Sequence, residues 1–230
     1  MRARIIEHCV KYHPVIPCSI LQHPQSTTFK HTPTQHSSLK DVNLNRKAQI
    51  RLSHLLKSFK MVDQTLTGKV AIVTGSSSGI GAAIVRELSS RGANTVVNYP
   101  FAGLKTEADT VVASLGTDSV AVEADMSKIE SPQKLVDAAL AKWNRIDILI
   151  NCVALAVNKP IEEQTLEDWD LLVNINGRGT FLLTKAVLPH ITKGSGRIVN
   201  IASISARGPP PNQTIYAGTK GMVDSFTKCW

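Results

Sequence analysis

The sequence predicts an α/β protein: a doubly wound parallel sheet in a three-layer α/β/α arrangement. Three observations carry that prediction. From Val70 onward, short apolar runs alternate with segments of helical period. The apolar runs read as strands buried on both faces, the habit of parallel strands. The first of them, Val70–Val73, passes through Thr74-Gly75-Ser76-Ser77-Ser78-Gly79-Ile80-Gly81 directly into helix-like sequence. That is a strand, a glycine turn and a helix, whose start can seat a phosphate.

Taken in order, Val70–Val73 is strand one, and Gly79 to Arg91 is a helix stopped at Gly92. Thr95 to Asn98 is strand two. Leu104 to Leu115 forms a helix with Leu104, Ala108, Val111, Val112 and Leu115 on one side, closed at Gly116. Ser119 to Ala124 is strand three. Ser131 and Pro132 open the next helix as N-cap and first helical residue, and Leu135, Val136, Ala139 and Leu140 are its apolar stripe. Ile148 to Ile150 is strand four. Thr165-Leu166-Glu167-Asp168 has the form of a capping box and opens a long helix to about His190. Ile198 to Ile201 is strand five, and a last helix begins near Ile215. Short connections between these elements imply double winding. Ligands bind such sheets at the carboxyl ends of the strands, where the strand order reverses.

Charge divides the chain. Of its 26 Lys and Arg residues ten lie in residues 1–60, against two of the 18 acids, Glu7 and Asp41. The net charge of +8 therefore belongs to this first segment, and the neutral body gives no reason to expect nucleic acid as a partner. Residues 1–60 are rich in His, Ser, Thr, Pro and Gln and are expected to be disordered, with a basic helix over Arg46 to Phe59. Three readings of them stand: a mitochondrial or similar targeting segment, a basic arm for anionic surfaces, or sequence preceding a natural start at Met61. The domain proper is read as 61–230.

Four cysteines, Cys9, Cys18, Cys152 and Cys229, are too few and scattered for a disulfide framework, and no zinc spacing joins them to His8, His13 or His23. No metal is expected. No apolar run reaches the roughly 18 residues of a membrane span, and charged residues and prolines interrupt any secretory core near the start. The default location is the cytoplasm, or the mitochondrion if the first segment is a true targeting signal.

Two stretches carry chemistry. At the glycine turn, free N–H groups and the dipole of a helix start suit a phosphate. Three glycines in eight residues also occur in plain strand-to-helix turns. Near the other end, Tyr216-Ala217-Gly218-Thr219-Lys220 places Tyr216 and Lys220 four residues apart, on one face of a helix. A fixed ammonium beside a phenol favours the phenolate and lets it exchange a proton near neutral pH. An exposed Tyr and Lys on a helix would read the same way.

Over residues 65–230 the motifs occur together, and the chain resembles the short-chain dehydrogenase/reductase family, with a Rossmann-like fold. The matching stretches are Thr74–Gly81, Ala124-Asp125, Asp147–Asn151, Asn176-Gly177-Arg178-Gly179-Thr180-Phe181, Gly196–Ser203 and Tyr216–Lys220. The resemblance implies hydride transfer between a nicotinamide cofactor and a ketone, sugar alcohol or acyl thioester. It implies that Ser203 bonds the substrate oxygen, Tyr216 exchanges its proton, and Lys220 assists Tyr216 and binds the nicotinamide ribose. Asn176, rather than nearby Asn174, would hold a relay water. Cofactor contacts are implied for Gly75, Ser77, Ser78, Gly79, Ile80, Gly81, Asn98, Tyr99, Asp125, Met126, Asn151, Val153 and Ala154, together with Tyr216 and Lys220. Relatives of full length are expected to be homo-oligomers.

Strand two ends in Asn98-Tyr99-Pro100-Phe101 with no acid before Glu107 and with Lys105 near, which favours NADP over NAD. Two departures stand out. Where the family has Asn-Asn-Ala-Gly this chain has Asn151-Cys152-Val153-Ala154, so a methyl on Ala154 is expected to crowd the ribose or alter the backbone angle. Cys152 reads as a small buried residue rather than a nucleophile. The sequence ends at Trp230 inside the Tyr216–Lys220 helix, with five strands where a complete fold has at least six. A truncated form with an apolar edge at strand five, weak cofactor affinity and little turnover is expected from that, the alternative being a non-catalytic remnant that binds a nucleotide or a partner protein.

Overall fold

In the computed structural model, residues 63–230 are described. The basic extension, its helix over Arg46 to Phe59, and Met61 lie outside them. Five strands form one sheet: β1 (Val70–Val73), β2 (Asn94–Tyr99), β3 (Val120–Glu123), β4 (Ile148–Asn151) and β5 (Arg197–Asn200). The order is β3-β2-β1-β4-β5, and every pairing is parallel.

The strands are short runs of β-branched residues, and their period-two alternation sorts the core into two layers. Val70 and Ile72 of β1 face one side with Leu149; Val73 faces the other with Val97 and Ile150. On the first side pack α3 (Ser131–Trp143), through Leu135, Val136 and Ala139, and α5 (Thr180–Val187), through Leu183 and Val187. On the second pack α1 (Gly79–Ser90), through Ala82 and Val85, and α2 (Lys105–Ala113), through Ala108 and Val111. The predicted three layers are present. β1 is buried along its whole length, while β3, at one edge, is mostly half-buried.

Helix ends show where local sequence was and was not sufficient. Gly92 takes the left-handed conformation expected of a stop, with φ +95°. Thr165 and Asp168 make the predicted capping box at the start of α4 (Leu166–Leu172). Two ends differ. Ser131 is the first helical residue rather than the cap, and Glu130 precedes it without a side-chain capping bond. The helix expected to run to Leu115 closes at Ala113, with a 3₁₀ turn at Ala102–Leu104 ahead of it. The long helix from Thr165 is also not uniform. Between α4 and α5 lies a π-helical segment, Val173–Gly179.

The chain leaves β1 for β2 and β3 on one side, then returns to place β4 on the other. The strand order therefore reverses between β1 and β4, which puts a crevice at their carboxyl ends. The last helix, α6 (Thr214–Cys229), follows β5. Among the described residues no helix is long and apolar enough to cross a membrane.

Candidate active site

The glycine turn leaves β1 at this crevice. Gly75 and Gly79 have φ +62° and +53°, a region where L side chains are strained. Gly81 is constrained by space instead: a Cβ there would lie 2.3 Å from the Gly75 carbonyl oxygen. The turn thus folds back onto its own helix start. Ser78 makes no side-chain cap, and the first turn of α1 carries no acid. The N–H groups of that turn are left for an anion. Nothing lies within 4 Å of a Cβ position at Gly79, so the approach is open. Ser77 is buried beside the turn, and Ile80 is exposed.

Two neighbours hold the turn in place. The Thr74 hydroxyl accepts from Cys152 N at 2.9 Å and Val153 N at 3.0 Å, locking the ends of β1 and β4 together. Asn98, fully buried on β2, accepts from Gly75 N at 2.9 Å through Oδ1 and donates through Nδ2 to the Ala124 carbonyl at 2.9 Å. Its side chain is engaged with backbone on both sides. It shapes the turn and presents no free polar atom to a ligand.

Beyond β4, Asn151 is buried and donates to Thr184 Oγ1 and Asn200 Oδ1, so its amide ties β4 to α5 and β5. Val153 packs its backbone where a Gly75 side chain would be. Ala154 is half-buried, and its φ is not positive, so the methyl imposes no backbone penalty; of the two expected effects only crowding remains open to it. The Cys152 thiol is pushed up by burial, against the pull of the Lys220 ammonium, and stays protonated and unreactive at neutral pH.

At the end of β5 the chain passes Ile201 and reaches Ser203, in extended backbone ahead of a short 3₁₀ turn, Ile204–Ala206. Ser203 Oγ accepts from Ser205 N at 3.1 Å, which leaves its own O–H to donate elsewhere. Ser205 Oγ in turn donates to Gln213 Oε1 at 2.8 Å, fastening the Ser203 turn to the start of α6. On α6, Lys220 is only 3% exposed and donates to the Ile201 carbonyl at 2.7 Å. Its ammonium lies 5.9 Å from the centre of the Tyr216 ring, within cation–π range. Burial lowers its pKa to about 8. Ser203, Tyr216 and Lys220 are thus brought to one end of the sheet, on the loop leaving β5 and on α6.

Asn176 sits in the π-helical segment, buried, while Asn174 is half-buried. Its amide clasps the backbone of Leu155: Oδ1 accepts from Leu155 N at 2.9 Å and Nδ2 donates to Leu155 O at 2.8 Å. The second N–H of Nδ2 goes to Thr219 Oγ1 at 3.0 Å. Both N–H groups are engaged, so the side chain has no donor left for a relay water.

Three further predicted contacts are placed as follows. Asp125 is half-buried just past β3 and accepts from Ser127 N at 2.9 Å. Met126 and Tyr99 are buried, each in one of the two core layers. Their side chains pack in the core. Sequence reasoning missed the bracing by Thr74 and Thr219. Each lies within a quoted motif, but nothing local marks the partner its hydroxyl meets.

Comparison with known proteins agrees with this fold. The family model for short chain dehydrogenases matches residues 69–230. A short-chain dehydrogenase/reductase of Pestalotiopsis microspora is 40% identical over 167 residues, 71% of this chain and 62% of the relative. Elsinochrome reductase 1 of Elsinoe fawcettii is 39% identical over 71% of this chain and 62% of its own. The chain therefore spans a little over three fifths of the length of these relatives. A short chain dehydrogenase from Burkholderia cenocepacia, solved with NADP, superposes with TM-score 0.68 at 32% identity, covering 72% of this chain and 68% of that one. A 3-ketoacyl-(acyl-carrier-protein) reductase from Brucella melitensis, solved with NADH, has TM-score 0.67 and 36% identity over 71% and 69%.

Proposed function

The chain belongs to the short-chain dehydrogenase family, and from that premise we propose that it is an NADP-dependent oxidoreductase acting on an uncharged carbonyl or secondary alcohol. The observation that carries this reading is the Tyr216–Lys220 pair on one turn of α6, with Lys220 anchored to Ile201 two residues before Ser203.

The crevice suits a nicotinamide dinucleotide. The uncapped start of α1 would hold the pyrophosphate, and the Lys220 ammonium, with one acceptor at Ile201 and further N–H groups to offer, would hold a ribose. Bound there, the cofactor supplies or takes the hydride. The rest falls to the protein. Ser203 donates its hydroxyl hydrogen to the substrate oxygen and fixes its position. Tyr216 gives that oxygen a proton in reduction and takes it in oxidation, with Lys220 beside it on the same face of α6. Asn176 positions the π-helical segment against α6.

NADP is preferred because β2 ends without an acid to accept a ribose 2′-OH, and the Asn98 side chain near that end is turned to the glycine turn. The NADP found in the Burkholderia protein supports this. An uncharged substrate is favoured because residues 152–158 and 201–206, the loops flanking Ser203, carry no charged side chain, and Leu155 and Ile204 are exposed there.

The test is titration of the full chain with NADPH followed by turnover of a panel of ketones. Tyr216→Phe is expected to keep NADPH binding and lose turnover by about 10²-fold or more. Absence of NADPH binding, or unchanged turnover in Tyr216→Phe, refutes the reading.

A further inference from the structure

We propose that Thr219 is a positioning residue for the proton transfer, tying the Tyr216 turn of α6 to Asn176 and through it to the loop after β4. The proposal rests on the function given above. Its basis is a continuous run of bonds. Leu155 fixes the Asn176 amide through both its N–H and its carbonyl. The N–H that remains on Asn176 Nδ2 meets Thr219 Oγ1 at 3.0 Å, and Thr219 Oγ1 donates to the Tyr216 carbonyl at 2.7 Å. Thr219 is 2% exposed, so water does not compete for these groups.

A helical threonine often bonds a carbonyl one turn back, and that bond alone would be local. The bond from Asn176 is different in kind. It joins residues 43 apart on separate helical segments and gives the Thr219 hydroxyl one direction for its hydrogen. A second contact shows that these segments are built to meet here. A Cβ on Gly177 would lie 2.6 Å from Met222 Sδ, so the bare glycine lets the Met222 side chain of α6 pack directly against the π-helical segment. The extra residue of the π turn brings Asn176 into this seam. Tyr216 therefore takes its place from three elements at once: the β4 exit, the π-helical segment and α6. A proton donor misplaced by about 1 Å loses about 10²-fold in rate.

The test uses the full chain and three variants. Thr219→Val keeps the branched shape and removes the hydroxyl; Thr219→Ser keeps the hydroxyl; Tyr216→Phe reports the chemistry. Thr219→Val is expected to lower kcat by about 10-fold or more and to shift its pH profile, with the Kd for NADPH within about twofold, and Thr219→Ser to recover most of kcat. Unchanged kcat and pH profile in Thr219→Val, or a Thr219→Ser variant as impaired as Thr219→Val, overturns the proposal. Hydrogen exchange supplies a readout free of turnover. Thr219→Val raises exchange over residues 214–220 and at Leu155, and Thr219→Ser does not; unaltered exchange in Thr219→Val overturns the proposal even if the wild-type chain reduces none of the ketones tried. Failure of the function itself would show separately, as Tyr216→Phe matching the wild type.

Discussion

The Lys220 ammonium lies 2.7 Å from the Ile201 carbonyl and almost wholly out of water. One residue thus joins the helix of Tyr216 to the strand exit that leads to Ser203. The cost is a buried charge.

That cost is measurable through pH. Burial lowers the pKa of Lys220 to about 8, against about 10.4 in an unfolded chain. Between those values the unfolded state binds more protons, so this residue's contribution to stability rises with pH. Below pH 8 the penalty is fully present. Lys220→Met is expected to lose turnover, and its stability relative to the wild type without cofactor is expected to fall by about 3 kcal/mol between pH 7 and pH 10.5, as the penalty it removes disappears. Melts of both proteins at pH 7 and pH 10.5 check this; an equal difference at both pH values contradicts it.

Gly81→Ala tests the folded-back turn. The new methyl would meet the backbone of Gly75 and Ser76, at 2.3 Å from the nearest atom, and backbone cannot step aside as a side chain can. A loss of about 2–3 kcal/mol is expected, together with weaker NADPH binding. Gly79→Ala enters open space and pays only for its φ of +53°, about 1–2 kcal/mol. Urea unfolding of the two variants should rank them in that order.

Asn98 separates shaping the turn from touching the cofactor. Asn98→Leu would orphan Gly75 N–H and the Ala124 carbonyl, both bonded at 2.9 Å. A loss of about 3 kcal/mol is expected in the absence of cofactor. Asn98→Asp keeps an acceptor for Gly75 but turns a second acceptor toward Ala124, and should not recover it. Denaturation without NADPH decides the matter: wild-type stability in Asn98→Leu would assign the residue to the ligand instead.

At the opposite end of the sheet, Asp147 governs acid stability. Burial alone would raise its carboxyl, but the Arg145 guanidinium, Val70 N–H and the Thr192 hydroxyl outweigh that and hold it at about 2. The unfolded value is about 3.9. Its contribution is therefore complete above about pH 4 and is lost as pH falls toward 2. Asp147→Asn is expected to cost about 3 kcal/mol at pH 7, since it leaves Arg145 without its buried carboxylate, and to flatten the fall between pH 4 and 2. Urea midpoints across that range read both effects.

Much of this was legible in the residues. Strand β1 and the start of α1 stand where the apolar run and glycine turn predict, and the capping box at Thr165 is local chemistry read directly. The close of α2 at Ala113 and the place of Ser131 were not legible, because neighbours decide helix ends as much as caps do. The π-helical segment was invisible for a related reason. Its residues keep a helical pattern, and the bonds Asn176 makes there go to Leu155 and Thr219, far away in the chain.

The sequence by itself determined the family, the sheet with its layers, and the residue types able to do the chemistry, since periodicity and motif spacing are properties of the chain alone. Tertiary structure decided which polar groups remain free to react. Asn98 and Asn176 look in the sequence like ligands for a cofactor or a water. In the fold their amides are bonded to Gly75, Ala124, Leu155 and Thr219. A buried amide must find partners, and the partners come from segments far apart in the chain, so their meeting is settled only when the sheet brings the strand ends together.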